Sequence, residues 1–300
     1  MSNSANVEQF QLAHSLRAKP SRFVSLGRLA RKKPLGTISL FLIIILVFSA
    51  VFADLLAPHD PIEIFYGHKL EAPNSRFLLG TDQTGRDILS RIIFGSRVSL
   101  YVGLLSTILG TIGGSALGII SGYLEGRVDM IMQRVMDGIQ AFPGLILALS
   151  IVSVLGPSMN NAMVAIAIVL IPSANRVVRG AVMTVKQNQY IEAARSVGAS
   201  DLRILVKHIT PNVTAPIIVL ASISLGNQII IEASLSFLGL GTQPPTPSWG
   251  GMLSGGGRTY FEQAPWLAIF PGLAISLAVL GFNLLGDALR DVWDPRMRGS

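Results

Sequence analysis

Long runs of uncharged, mostly apolar residues dominate the chain, and short polar segments separate them. The five runs cover residues 35–53, 98–124, 138–175, 209–231 and 263–286. About 20 apolar residues in a helix cross the hydrocarbon core of a bilayer. The third run is nearly twice that length, and its middle, GPSMNN at residues 156–161, is typical of a turn. The pattern therefore predicts an all-α membrane protein with six transmembrane helices.

A second periodicity lies inside the second run, where a small residue recurs at every fourth position. Its members are Ser106, Gly110, Gly114, Gly118 and Gly122. Residues four apart share one face of a helix, and glycines there let another helix approach to backbone contact. The ridge predicts close helix packing, either within this chain or against a second membrane subunit.

Composition supports the membrane assignment and excludes several other classes. Of the 300 residues 50% are hydrophobic and only 14% charged, whereas soluble domains contain about 25% charged residues. The net charge of +7 is not concentrated on a polar domain that would bind nucleic acid. The absence of cysteine excludes a disulfide framework and a thiol nucleophile. No Gly-x-x-x-x-Gly-Lys-Ser/Thr loop is present to bind nucleotide phosphates, so no ATPase activity of the chain's own is expected.

Basic residues cluster on one side of the predicted topology. With six spans, the N-terminal segment and the three other segments on its side together hold 18 of the 24 lysines and arginines. Cytoplasmic loops are enriched in these residues, so both termini are predicted to be cytoplasmic. The first run is too long for the core of a signal peptide and is predicted to be an uncleaved anchor. The expected order is a basic cytoplasmic segment (1–34), the first anchor (35–57), an external segment (58–97), a five-helix core (98–290) and a cytoplasmic tail (291–300).

Ionisable residues are scarce within the predicted spans. Glu232 is the one that the sequence places there, near the outer end of the fifth span and after Asn227 and Gln228. Such a residue usually faces a cavity or a partner, so these three are candidates for a translocation path or gate. A carboxylate that only fixes local structure is the alternative. The scarcity argues against an ion-coupled secondary carrier, and no paired carboxylates or serine–base pair point to an intramembrane enzyme.

A polar segment at residues 187–212, QNQYIEAARSVGASDLRILVKHITPN, is predicted to form a helix–glycine–helix elbow. Helix formers precede Gly198, which breaks the helix because glycine accepts a positive φ angle. Ser200 is placed to cap a second helix over residues 201–208, which is expected to end before Pro211.

The elbow is a candidate docking surface. Ala193 and Ala194 leave it slim, and Glu192 adds a charge beside them. An exposed polar elbow between two spans suits insertion into a soluble partner. An ordinary surface hairpin fits the same residues, so their chemistry alone leaves both interpretations open.

Four motifs resemble one known family. Glu192, Ala193, Ala194, Gly198 and Pro211 are similar to the EAA loop of binding-protein-dependent ABC importer permeases. The other motifs resemble the dipeptide and oligopeptide branch, in particular the second permease of its pair. They are LGTDQTGRDILSR at 79–91, EASLSFLGLG with QPPTPSWG at 232–250, and FNLLGDALRD with DPR at 282–296.

The resemblance implies a fold, partners and a substrate class. It implies the type I ABC importer permease fold in the inner membrane of a prokaryote. The expected partners are a second homologous permease in a heterodimer, two cytoplasmic subunits that bind ATP and Mg²⁺, and an external binding protein. No cofactor is expected in this chain itself. The resemblance implies peptides as substrates, while some relatives of this branch transport nickel chelates or oligosaccharides.

Two of the motifs also have structural interpretations. Asp82, Arg86 and Asp87 fit a polar helix start with Asp82 as its cap, as well as a substrate contact. The proline-rich segment before Trp249 fits a rigid connector or an outer gate, and tryptophan is common at the membrane interface.

Overall fold

The structure, a computed structural model, describes residues 34–293. Its regular elements are helical, and each of two short helices runs into a five-residue π-helical turn. In chain order they are α1 Pro34–Val51, α2 Ala53–Leu56, α3 Ile88–Leu124, α4 Gly126–Gln140, α5 Gly144–Leu155, α6 Met159–Lys186, α7 Gln189–Ser196, α8 Asp201–Ile204 with the π turn Leu205–Ile209, α9 Thr210–Phe237, α10 Trp249–Met252 with the π turn Leu253–Gly257, and α11 Trp266–Trp293. The predicted basic segment, up to residue 33, and the tail from residue 294 lie outside the described range.

Four helical stretches in this range are long and apolar enough to cross a membrane. They are α3, α6, the continuous stretch Asp201–Phe237 and α11. Helices α4 and α5 pass the same test only as a pair bent by 87°, and the apolar helix Leu35–Val51 is shorter. The described residues therefore contain four spans, or five with the bent pair. Six spans and the positions of the termini remain predictions.

The bend between α4 and α5 lies at Ala141, Phe142 and Pro143. Pro143 has φ −53° and ψ 128°, an extended conformation that interrupts the helix. Proline also disfavours the helical conformation in the residue before it, here Phe142. The turn predicted at residues 156–161 is present, because Gly156 ends α5 and Ser158 caps α6 by accepting from the N–H of Asn161.

The glycine ridge packs inside this chain, against α6. A Cβ at Gly114 would lie 2.5 Å from the Ala174 Cβ and 2.5 Å from the Ile171 carbonyl oxygen. A Cβ at Gly118 would lie 2.6 Å from the Asn175 carbonyl oxygen. Gly110 and Gly122 approach α6 in the same way. Of the two partners that the sequence left open, the structure gives the internal one. Successive glycines of α3 meet successive residues of α6, so the two helices run parallel, in backbone contact.

The two ends of the helix bundle differ. The elbow lies at one end, here called the elbow end, beside the last turns of α3 and α6. Loops at residues 57–87 and 238–265 meet at the opposite end, here called the far end. There α3 begins at Ile88, well before its apolar run, and Asp87 caps it by accepting from the N–H of Ser90 at 2.9 Å. The expected cap, Asp82, instead closes the preceding loop.

Candidate functional site

The elbow begins with α7, which ends in a glycine turn. Gly198 has φ +78°, and its N–H donates to the Arg195 carbonyl at 2.9 Å. The next N–H, of Ala199, donates to the Ala194 carbonyl at 3.0 Å. This pair of bonds is a Schellman motif, in which glycine takes the left-handed position without steric cost. The predicted break at Gly198 is thus present, with the geometry that glycine favours.

Buried side chains fix the elbow to the ends of α3 and α6. Ile191 of α7 and Ile204 of α8 have no exposed surface and pack in one cluster with Tyr123, Val178 and Val182. These contacts come from four helices. The elbow is therefore not a free surface loop, and a force on it acts directly on the ends of two spans.

Tyr123, at the end of α3, connects the elbow by polar contacts. Its hydroxyl donates to Asp201 of α8, and the guanidinium of Arg195 lies 5.7 Å from the centre of its ring. Lys186 Nζ donates to the Tyr123 carbonyl at 2.8 Å and pairs with Glu125 at 3.0 Å. Both arms of the elbow are thus tied to one residue of a neighbouring span.

The outer surface of the elbow contains exposed apolar and polar groups side by side. Glu192 and Ala193 are exposed, and Val197 and Leu202 are exposed by 84% and 71%. Exposed apolar side chains that form a patch mark an interaction site, and these two add apolar area to the polar tip. The motif residues therefore lie where a partner can reach them, as the docking interpretation requires.

The second arm does not end before Pro211, which corrects the sequence prediction. Helix α8 continues through the π turn Leu205–Ile209 into α9, and the Thr210 N–H donates to the Leu205 carbonyl five residues back. Pro211 lacks an N–H and would clash with a carbonyl in a regular helix interior. The wider turn just before it lets the helix continue, so the second arm of the elbow and the span form one continuous rod.

The three candidate path residues of α9, Asn227, Gln228 and Glu232, do not share one environment. Asn227 is exposed, whereas Gln228 is 3% and Glu232 1% exposed. Glu232 accepts from Ser236 Oγ at 2.7 Å and from Ser99 Oγ of α3 at 3.4 Å. The carboxylate thus lies between α9 and α3, which supports the structural interpretation of this residue in the conformation described.

We expect Glu232→Ala to destabilise the protein by about 1–3 kcal/mol, because both serine hydroxyls lose their acceptor in a buried site. Glu232→Gln keeps an acceptor oxygen and should stay close to the parent. Thermal unfolding of the purified complex in detergent measures the difference. A Glu232→Gln variant of unchanged stability that loses uptake would instead favour the path interpretation.

The far-end motif folds into a tight polar loop. Asp82 Oδ1 accepts from the N–H groups of Thr84 and Arg86 at 2.7 and 3.0 Å, and Arg91 Nε lies 3.8 Å from Asp82 Oδ2. A cavity of about 240 Å³ lies between this loop and residues 236–256. Asp82 thus closes the loop through backbone N–H groups, and Asp87 in its place caps α3. This arrangement favours a structural role for the motif, although not with the predicted cap.

Trp249 is buried inside the bundle. It is 2% exposed, and its Nε1 donates to the Ile92 carbonyl at 3.0 Å. A Cβ at Gly95 would lie 2.7 Å from its ring. The proline-rich segment before Trp249 is thus attached to α3 by a packed side chain, which favours a fixed connector.

A polar network between α4 and α6 was not predicted from the sequence. Arg179 of α6 binds both oxygens of Asp129 of α4 at 2.6 Å each. Gln133 of α4 donates to Ser121 and Asn175 at 2.9 and 3.0 Å. Arg179 lies beyond the uncharged run 138–175, yet it is part of α6. The sequence signal for this network is the spacing of Asp129, Gln133 and Asp137, which lie four residues apart on one face of α4.

No catalytic or metal chemistry emerges from these groups. Among the described residues no three or more His, Asp or Glu side chains are placed to hold a metal ion.

Comparison with known proteins gives matches over most of the chain. Residues 114–299 match the family described as binding-protein-dependent transport system inner membrane component. Residues 25–73 match the N-terminal TM domain of oligopeptide transport permease C.

Similar curated proteins cover nearly the same length. The dipeptide transport system permease protein DppC of Alkalihalophilus pseudofirmus is 43% identical over 268 residues, 89% of this chain and 88% of that protein. The glutathione transport system permease protein GsiD of Pectobacterium atrosepticum is 48% identical over 257 residues, 85% of each. The di/tripeptide transport system permease protein DppC of Pseudomonas aeruginosa is 45% identical over 267 residues, 87% of this chain and 88% of that protein.

Solved structures show the same fold at low sequence identity. An inward-facing structure of the MetNI methionine ABC transporter matches with a TM-score of 0.56 and 17% identity, over 68% of this chain and 97% of that one. A second crystal form of the same transporter gives a TM-score of 0.58, over 69% and 98%.

Proposed function

We propose the function of this chain from its family. The chain belongs to the binding-protein-dependent transport system inner membrane components. It is a permease subunit of an ATP-driven importer that moves dipeptides or oligopeptides across the cytoplasmic membrane of a prokaryote. Its partners are a second homologous permease, two cytoplasmic ATP-binding subunits and an external binding protein. The similarity to dipeptide, tripeptide and glutathione permeases supports a peptide substrate.

The observation that supports this function most strongly is the elbow. Its exposed tip presents Glu192, Ala193 and Val197, while its base is fixed to the ends of α3 and α6 through buried Ile191 and Ile204. A partner that moves the tip must therefore move the ends of the spans. In this proposal the ATP-binding subunits hold the elbow, and their closure on ATP is transmitted along the rod Asp201–Phe237.

The proposed topology places the elbow end in the cytoplasm. Basic side chains at or near the elbow support it, because cytoplasmic segments are enriched in them. These residues are Lys186, Arg195, Arg203 and Lys207. With α1 and the bent pair counted as spans, the proposed total is six, and both termini are cytoplasmic.

We expect vesicles that contain the reconstituted complex and its binding protein to accumulate labelled dipeptide only when ATP is present at the elbow side. Unlabelled peptides should compete, whereas nickel chelates and oligosaccharides should not. The control is the same preparation without this chain. Accumulation driven by an ion gradient in the absence of ATP would contradict the proposal and favour a secondary carrier.

A further inference from the structure

A row of exposed polar side chains follows α4 and α6 towards the bend. Arg176 of α6 pairs with Asp137 of α4 at 3.1 Å, and these side chains are 56% and 52% exposed. Closer to the bend, Gln140 Nε2 donates to Ser173 Oγ at 3.3 Å, again at the surface. These four residues are called the polar stripe. None of them belongs to the elbow, to the far-end motifs or to the candidate path residues.

The polar stripe lies at the depth of an apolar part of the bundle. Ser173 lies between Ile171 and Ala174, the residues that contact Gly114, and Gly118 contacts Asn175, next to Arg176. The glycines belong to the uncharged run 98–124. The stripe therefore lies at the depth of the uncharged part of α3, in the half of the bundle nearer the elbow.

The exposed surface of α3 near that depth differs in character. The exposed side chains of α3 there are apolar, and Ile112 is 65% exposed. The other large exposed side chains of this face are Leu104, Ile108, Leu109 and Ile120. Lipid can cover that face at no cost. The same lipid against the polar stripe would leave a charge pair and an amide in hydrocarbon, which membrane proteins avoid by turning such groups to a water-filled cavity.

A cleft adjoins the stripe at the bend. It has a volume of about 390 Å³ and is lined by Gln140 and Ser173 together with Phe142, Pro143 and Gly144. A broken helix of this kind is tolerated at membrane depth where it borders protein or a water-filled cavity. The cleft and the polar stripe therefore adjoin and share Gln140 and Ser173.

We propose that the polar stripe lines the elbow-side half of the translocation path and contacts the peptide on its way to the cytoplasm. The inference rests on the proposed function. Gln140 and Ser173 offer donors and acceptors to peptide amides, which lose their water on entry. Arg176 and Asp137 offer both charges to a zwitterionic substrate, whose carboxylate and ammonium groups match them.

The absence of cysteine from the chain allows a direct test. Ser173→Cys is nearly isosteric, and Ile112→Cys lies within about one helical turn of the same depth on the apolar face. Each variant is expressed as the full complex in inside-out membrane vesicles and exposed to a membrane-impermeant, positively charged methanethiosulfonate. Only a thiol that meets water ionises and reacts. We expect Ser173→Cys to be modified at least about tenfold faster than Ile112→Cys. The mass shift of this chain measures the extent of modification.

Saturating peptide should slow the reaction at Ser173→Cys. Equal rates for the two variants, or no modification at Ser173→Cys while Gln140→Cys is also unreactive, would overturn the proposal. The test is independent of transport. If ATP-driven peptide uptake fails but the rates differ, the water-lined surface stands and the substrate is wrong. If uptake succeeds and the rates are equal, this inference alone fails.

Discussion

Replacing Gly114 with alanine is expected to destabilise the protein by about 1–3 kcal/mol, the usual cost of one methyl group too many in a packed interface. The added Cβ would lie 2.5 Å from both the Ala174 Cβ and the Ile171 carbonyl oxygen. Neither is the far end of a flexible side chain, so a whole helix must shift. Gly114→Leu should leave little folded protein in the membrane.

The neighbouring glycine provides a matched control. A Cβ at Gly113 would meet only Ile171 side-chain atoms at 3.6 Å, which is an ordinary contact. Gly113→Ala should therefore be neutral or stabilising by up to about 1 kcal/mol, since alanine is the better helix former. Thermal unfolding in detergent and the yield of membrane-inserted protein compare the two variants. Equal stability of Gly113→Ala and Gly114→Ala would show that the ridge is not packed as described.

Replacing Gly198 with valine is expected to uncouple transport from ATP hydrolysis. At φ +78° nothing lies within 4 Å of an added Cβ, so the effect comes from the backbone and not from a clash. A residue with a Cβ strains this left-handed position by about 1–2 kcal/mol, and β-branching makes it worse. The glycine turn should open, and α7 should lose its fixed angle to the rod that continues as α9.

Asparagine tolerates the left-handed region, so Gly198→Asn is the matched control and should retain most activity. Uptake and substrate-stimulated ATPase are measured together in vesicles. Gly198→Val should lose both while the complex remains assembled and its melting temperature changes little. Normal coupling in an assembled Gly198→Val complex would contradict the lever proposed for the elbow.

Sequence patterns predicted local features well. The break at Gly198 depends on one residue and its immediate neighbours. The glycine ridge depends on spacing within one helix. Both are present because the deciding interactions are close in sequence, although the ridge's partner, α6, had to come from the structure.

Features that depend on distant residues were predicted less well. The uncharged third run ends at Asn175, but the helix continues through Arg176 and Arg179, which pair with Asp137 and Asp129 of α4. The polar stripe was not predicted for the same reason, because its residues on α4 and α6 lie far apart in the sequence. The packing of Trp249 was not predicted, because its partner, the Ile92 carbonyl, lies 157 residues away.

The pairing of α4 with α6 also dictates an order of events during synthesis. The acids Asp129 and Asp137 leave the ribosome before their basic partners, which follow 50 and 39 residues later. Until α6 is made, the carboxylates of α4 have no arginine partners from α6, so we expect α4 to remain at the polar surface of the membrane. Insertion of α6 against the glycines of α3 then brings the arginines alongside and lets α4 settle. A chain cut short before residue 176 would therefore expose α4 to membrane proteases, although every residue of that helix had been synthesised.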